Sequence, residues 1–274
     1  MLRHERHRHI LAYLTEHDAM SVETAVLLLK TSPATVRRDF NDLARQHLAV
    51  RTHGGIGTAR ISTGDMVPFW CREDQYSKEK SAIAKETASL LKPNDIVMID
   101  GGTTTFYLAD HLPQFPLRVI TNSIRLAVAI DERWSSDPGP ELFLTGGYIY
   151  PQSGVLIGPQ ATASFARYHA DWAFMSVGGI CSSGIHNTNE FVVENQLAMI
   201  ERAERVIIMA DHSKIGSMSM CRVCGLDRIH TLITDRHPST VFALKQLESE
   251  GLRIITVEPG ALSSRARIAR AADK

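Results

Sequence analysis

The chain has little that would place it in a membrane or outside a reducing compartment. No stretch approaches the ~20 consecutive apolar residues of a membrane-spanning helix. The first residues, Met1 to His9, are basic and histidine-rich and lack the apolar segment of a secretory signal. Four cysteines in 274 residues do not make a disulfide framework. Cys221 and Cys224 form a single C-x-x-C with no second pair to complete a zinc site. His4, His7 and His9 lack a set of accompanying ligands and read as the solvated start of a basic helix. Net charge is also absent, since Lys+Arg and Asp+Glu are both 30. These gaps predict a cytoplasmic protein with no metal, no cofactor and no membrane partner.

The neutral total conceals an uneven distribution. Residues 1–60 carry nine Lys or Arg against six Asp or Glu, an excess of three positive charges, and hold six of the 12 histidines. A basic end on a slightly acidic body suits binding to a polyanion through that end alone. The length fits two domains, or one large one.

Three short helical patterns open the chain. Ile10, Leu11 and Leu14 stripe the first. Val22, Ala25, Val26 and Leu29 stripe the second, with Ser21 at its N-cap. Ser32 and Pro33 start the third, Ser32 as cap and Pro33 at the first helical position, where its missing N–H costs nothing. At 100° per residue, Val36, Phe40, Leu43 and Ala44 share the inward face. Ala34, Arg38, Asn41 and Arg45 lie opposite, flanked by Thr35 and Arg37. Arginine forks onto guanine and asparagine pairs with adenine, so this is the face of a major-groove reader. Val50 and Thr52 then alternate with Arg51 and His53 before a Gly-Gly turn. That pattern predicts a β-ribbon wing that brings Arg51 and His53 to phosphates or a minor groove.

The run Ser32-Pro33-Ala34-Thr35-Val36-Arg37-Arg38-Asp39-Phe40, followed by Arg51-Thr52-His53-Gly54-Gly55, resembles the signature of DeoR/GlpR-type regulators. These join a winged helix-turn-helix to a sugar-phosphate sensor. The resemblance implies that Ser32, Thr35, Arg37 and Arg38 contact DNA, with Arg51 and His53 in support.

Residues 58–77 are richer in Gly, Ser and Thr and read as a linker with partial structure, after which Ser77 caps a helix over Lys78–Leu91. Residues 78–258 repeat strand, polar loop and helix. Apolar runs at Ile96–Ile99, Val119-Ile120, Leu142–Leu144, Trp172–Val177, Val206–Met209 and Leu232-Ile233 predict a mostly parallel sheet covered on both faces. Ligands of such sheets bind beyond the carboxyl ends of the strands. The loop Asp100-Gly101-Gly102-Thr103-Thr104-Thr105 sits at such an end and suits an anion, although it is not a Walker A loop. Lys214, from another strand end, would supply positive charge. This half also resembles the family's sensor domain, similar in fold to ribose-5-phosphate isomerase and CoA transferases. The resemblance implies an effector site of Asp100, Gly101, Gly102, Thr103, Thr104, Asn122, Ser123, Gly146 and Lys214, with Ser153 and Gly179 beside it. One departure stands out. Related sensors often carry a basic residue before the helix equivalent to Leu197–Arg202, where this chain reads Val193-Glu194-Asn195-Gln196. Residues 259–274 form a short basic tail.

The expectation is a repressor that binds double-stranded operator DNA as a homodimer or homotetramer and is released by a phosphorylated sugar or sugar acid. The alternative is a sugar-phosphate isomerase-like enzyme with an accessory DNA-binding module. Asp100, Glu190, Asp211 and Lys214 offer titratable groups for it, but no base with a positioned partner.

Overall fold

The computed structural model describes residues 1–45, 48–58, 69–134, 139–151 and 153–260. The chain divides into two compact units, Met1–Gln75 and Tyr76–Lys274. From residue 261 on, the basic tail lies outside the described residues, as does 59–68 of the stretch read as linker.

The first unit runs α1 (Arg3–Glu16), β1 (Ala19–Ser21), α2 (Val22–Leu29), α3 (Pro33–Arg45), β2 (Ala49–Thr52), β3 (Gly55–Thr58) and α4 (Phe69–Glu73). Local chemistry starts the middle helices. Ser21 Oγ accepts the Thr24 N–H at 3.1 Å, and Ser32 Oγ accepts the Thr35 N–H at 3.2 Å, as N-caps do. Ile10, Leu14, Ala25, Leu29, Val36, Phe40, Leu43 and Ile56 close one apolar core. β1, β3 and β2 form an antiparallel sheet in that order, with His53 and Gly54 at the tip of the β2–β3 hairpin. α4 falls within the stretch read as linker, and its Cys71 joins the core of this unit.

Asp39 is buried as well, a position that apolar periodicity does not reveal. Arg6 donates to both its carboxylate oxygens, at 2.6 and 2.9 Å, and His7 Nε2 lies 3.3 Å away. His7 is therefore not part of a solvated helix start. It is buried, and desolvation pushes its pKa below the ordinary histidine value. The ligand-type atoms of His7, Asp39 and Asp42 lie within 4.8 Å of one another. Arg6 and Arg3, the latter 2.7 Å from Asp42, already answer the carboxylates, so this is an ion-pair network.

The second unit contains α5 (Ser77–Ala88), β4 (Ile96–Ile99), α6 (Thr103–Phe106), β5 (Arg118–Thr121), α7 (Ile124–Arg133), β6 (Glu141–Leu144), β7 (Tyr148–Tyr150), β8 (Val155–Ile157), α8 (Pro159–Ala166), β9 (Ala170–Met175), β10 (Gly179–Cys181), β11 (Gly184–Asn187), α9 (Glu190–Arg202), β12 (Ala203–Met209), β13 (Cys221–Cys224), β14 (Thr231–Asp235), α10 (Val241–Ser249) and β15 (Ile254–Val257). Seven strands make one parallel sheet in the order β15-β14-β12-β9-β4-β5-β6. Successive residues alternate between two cores. Met98, Ala173, Met175 and Ile208 face one, with α8 and α9. Val97, Ile99, Phe174 and Ile207 face the other, with α5 and α7. Both faces are apolar because both are covered, which is why these strands read as unbroken apolar runs.

Three local expectations change. Ser77 is the first residue of α5, not its cap; Tyr76 holds the cap position at φ +54°. The helix after Asp100 is one α turn, continued as a 3-10 turn over Tyr107–Asp110. Residues Val193 to Gln196 do not precede a helix. They lie inside α9, which begins at Glu190.

Candidate DNA-binding and effector sites

On α3 the cap shapes the face. Ser32 Oγ sits 2.9 Å from Thr35 Oγ1, so the two hydroxyls stand together at the helix start. Arg37, Arg38 and Asn41 are exposed, while Val36, Phe40 and Leu43 are buried. Neither Arg37 nor Arg38 makes an ion pair with a described residue, whereas Arg45 lies 3.8 Å from Asp42. Two adjacent guanidinium groups thus face outward, with Glu23 within electrostatic range of Arg37 but no close ion pair for either among the described residues. On the hairpin, Arg51 and His53 are exposed, and the Arg51 guanidinium carbon lies 5.6 Å from the centre of the Phe40 ring. The wing is thereby tied to the recognition helix. Gly55 allows the close pairing, since a Cβ there would run into the Met20 backbone carbonyl of β1.

In the second unit the sheet order reverses between β4 and β9. From β4 the chain moves outward through β5 and β6; from β9 it moves the other way through β12, β14 and β15. Such a switch point opens a crevice at the carboxyl ends of the strands. Asp100, just after β4, spans it. Its carboxylate accepts from Gly102 N at 3.2 Å and from Ser176 N, just after β9, at 3.0 Å. It also accepts from Gln196 Nε2 at 2.9 Å, and the Thr105 hydroxyl lies 3.0 Å away. Burial pushes the Asp100 pKa up, and these donors pull against that rise. Gln196 is itself fully used, donating to Ser176 O at 2.8 Å and accepting from Asn187 Nδ2 at 3.1 Å. In the stretch without a basic residue, a neutral amide thus joins the β4 and β9 ends around a carboxylate. Gly102 is required at this point, because a Cβ would overlap the Ser176 hydroxyl.

The remaining expected residues divide into bonded and unbonded. Ser123 Oγ caps α7 by accepting the Leu126 N–H at 3.2 Å. Ser153 Oγ donates to Tyr150 O and accepts from Val155 N, closing the β7–β8 hairpin. That hairpin passes over the β4 loop, with Val155 against Gly101. Gly146 lies in the turn after β6, facing Gln160. Gly179 lies in β10, paired with His186 in a separate small sheet. The hydroxyls of Thr103 and Thr104 and the Lys214 ammonium have no hydrogen-bond or ion-pair partner among the described residues. Lys214 follows β12, two strands from β4, so about 10 Å separates the strand ends. Among the described residues Asn122 Oδ1 and Thr145 Oγ1 are buried and without a partner; Thr145 is not one of the residues expected at the site.

The C-x-x-C lies on β13 with both thiols free. Burial pushes the Cys224 thiol up to about 11. Among the described residues no helix is long and apolar enough to cross a membrane.

Comparison with known proteins agrees with both halves. Residues 6–61 match the DeoR-like helix-turn-helix domain, and residues 75–236 match the DeoR C-terminal sensor domain. The HTH-type transcriptional repressor GlcR of Bacillus subtilis is 34% identical over 94% of this chain and 98% of its own. The HTH-type transcriptional regulator GlpR of Haloferax volcanii is 32% identical over 93% of this chain and 98% of its own. A ribose 5-phosphate isomerase from Methanocaldococcus jannaschii aligns at a TM-score of 0.35 and 14% identity, covering 49% of this chain and 52% of that one, too slight a likeness to carry an argument. The isomerase-like alternative falls with the family assignment. The chain belongs to the DeoR family and is a DNA-binding transcriptional regulator, not an enzyme.

Proposed function

We propose that the chain is a repressor of a carbohydrate-catabolism operon, released from its operator by a phosphorylated sugar or sugar acid. Groups without a hydrogen-bond or close ion-pair partner among the described residues carry this reading. In the first unit they are Arg37 and Arg38, both cationic, on the exposed face of a capped helix. In the second they are Thr103, Thr104 and Lys214, all donors, at the carboxyl ends of parallel strands. The first set suits base edges and phosphates of DNA, with Ser32, Thr35, Asn41, Arg51 and His53 around it. The second suits a phosphate on a small molecule. Homodimers or homotetramers would read paired half-sites. The effector then shifts an equilibrium between operator-competent and incompetent forms, by as much as its affinities for the two differ.

Fluorescence anisotropy with labelled DNA from upstream of the chain's own gene tests this. Ribose 5-phosphate, glucose 6-phosphate, fructose 6-phosphate and 6-phosphogluconate are titrated into the complex. One of them should release the DNA, and Lys214→Ala should abolish that release while DNA binding persists. Arg38→Ala should weaken operator binding by ~1–3 kcal/mol and relax preference at one base pair. A sugar phosphate that tightens the complex would reverse the sign of regulation proposed here.

A further inference from the structure

We propose that Asn122 and Thr145 form a subsite that reads a hydroxyl group of the effector, separate from the groups that take its phosphate. The proposal rests on the reading of this unit as a sugar-phosphate sensor and adds to it which end of the ligand lies where.

The argument starts from satisfaction. At the β4 and β5 ends and in the β7–β8 turn, Asp100, Thr105, Thr121, Ser123 and Ser153 all have protein partners. Asn122 Oδ1 and Thr145 Oγ1 do not, although both residues are at least nine-tenths buried. Buried polar atoms without a partner are uncommon in folded proteins, and each calls for an explanation. These two belong together. Thr121 and Leu144 are the last paired residues of β5 and β6, and Thr145 N continues the ladder to Thr121 O at 3.0 Å. Asn122 and Thr145 are the next residue on each strand, about 5 Å apart by the strand spacing.

Their chemistry selects the ligand group. Asn122 Nδ2 donates to Leu156 O at 3.2 Å. A carbonyl can only accept, so the amide nitrogen must face Leu156 and the unpartnered atom is the acceptor Oδ1. A phosphate dianion has only acceptor oxygens and would be repelled there. A sugar hydroxyl donates to Oδ1, and its lone pair can accept from the Thr145 hydroxyl. The phosphate is left to Thr103, Thr104 and Lys214, which are donors. The ligand therefore lies with its hydroxyl-bearing carbon at the β5–β6 side and its phosphate toward the β4 and β12 ends. Neither Asn122 Oδ1 nor Thr145 Oγ1 reaches solvent. A hydroxyl that satisfies them displaces their present cover, so recognition is coupled to movement of loops at this end of the sheet.

Thermal-shift and calorimetric titrations of the full chain test the proposal, using ribose 5-phosphate, glucose 6-phosphate, fructose 6-phosphate, their monodeoxy analogues and inorganic phosphate. Thr145→Val keeps the side-chain shape and removes an unpartnered hydroxyl, so its Tm without ligand should equal or exceed that of the wild type. Its affinity for the binding sugar phosphate should fall about tenfold, the size of one net hydrogen bond. One monodeoxy analogue should bind the wild type equally weakly, and Thr145→Val should not weaken that analogue further. Asn122→Ala should show the same pattern of ligand discrimination. Inorganic phosphate should bind all three forms alike. If a sugar phosphate binds the wild type and both variants with unchanged affinity, the subsite is wrong while the sensor reading stands. If none of the sugar phosphates shifts the wild type, the sensor reading fails and the subsite with it. A Thr145→Val protein that melts lower would show the hydroxyl to be structural, which also overturns the proposal.

Discussion

At the scale of single residues, the buried carboxylates of Asp39 and Asp100 organise their surroundings by accepting hydrogen bonds. Each Asp100 oxygen faces donors: Oδ1 the Gly102 N–H, Oδ2 the Ser176 and Gln196 N–H groups. Asp100→Asn puts an NH2 where an oxygen was, and either amide rotamer sets one N–H against another. We expect a loss of roughly 1–3 kcal/mol in chemical denaturation, the cost of a buried unsatisfied donor. A variant as stable as the wild type would mean that the crevice tolerates rearrangement. His7 gives a pH-dependent counterpart, enclosed by Asp39, Asp42, Arg3 and Arg6, with Trp70 6.4 Å away. Its folded pKa is depressed, chiefly by desolvation. The contribution is intact above the unfolded value near 6.5 and is lost as pH falls through and below it. Melting curves between pH 8 and 5 should show the first unit weakening on acidification, with a shallower decline in His7→Gln. Asp100 was legible as part of a strand-end loop. Its clamp was not, because Gln196 follows 96 positions later and nothing local marks it. Asp39 was likewise invisible to apolar periodicity, since its partner Arg6 comes from another helix.

At the scale of elements, apolar runs, capped helices and the wing beside its Gly-Gly turn were readable, and the small sheets outside them were not. The strands of the parallel sheet are apolar on both faces and stand out as runs, and α2 and α3 announce themselves through Ser21 and Ser32. The hairpin β7–β8 and the sheet β10-β11-β13 have strands of three or four residues and depend on tertiary contacts. Tyr76 displaced Ser77 from the cap position by adopting a left-handed conformation that nothing in a tyrosine favours. The wing shows how one position governs an element. Gly55 pairs with both Ser21 and Thr52, and its bare α-carbon lets β3 lie against the Met20 carbonyl. Gly55→Ala forces β1 and β3 apart, so we expect about 1–3 kcal/mol of lost stability, as for overpacking elsewhere. DNA affinity should also drop, because Arg51 and His53 ride on the displaced hairpin. Retained stability and retained DNA binding together would show that the strands can separate without moving the wing.

At the scale of the whole molecule, the charge distribution separates the two activities. The chain is neutral overall, so its long-range attraction for DNA is weak, and affinity must come from the local positive excess in residues 1–60. Binding of that kind releases counterions from DNA, and log K falls with log salt by about 0.9 for each phosphate neutralised. Arg37 and Arg51 are exposed cations without an ion-pair partner among the described residues, and each one that meets a phosphate should contribute one such increment. Removing it should lower the salt slope by about one while weakening all sequences alike. Lys214 belongs to the other unit and should behave oppositely. Lys214→Ala should leave the slope unchanged and remove the response to sugar phosphate. Anisotropy titrations between 50 and 200 mM salt, with and without effector, measure both quantities on the same samples. A Lys214→Ala protein with a reduced slope would place that lysine on DNA, and the separation of reading from sensing argued here would fail.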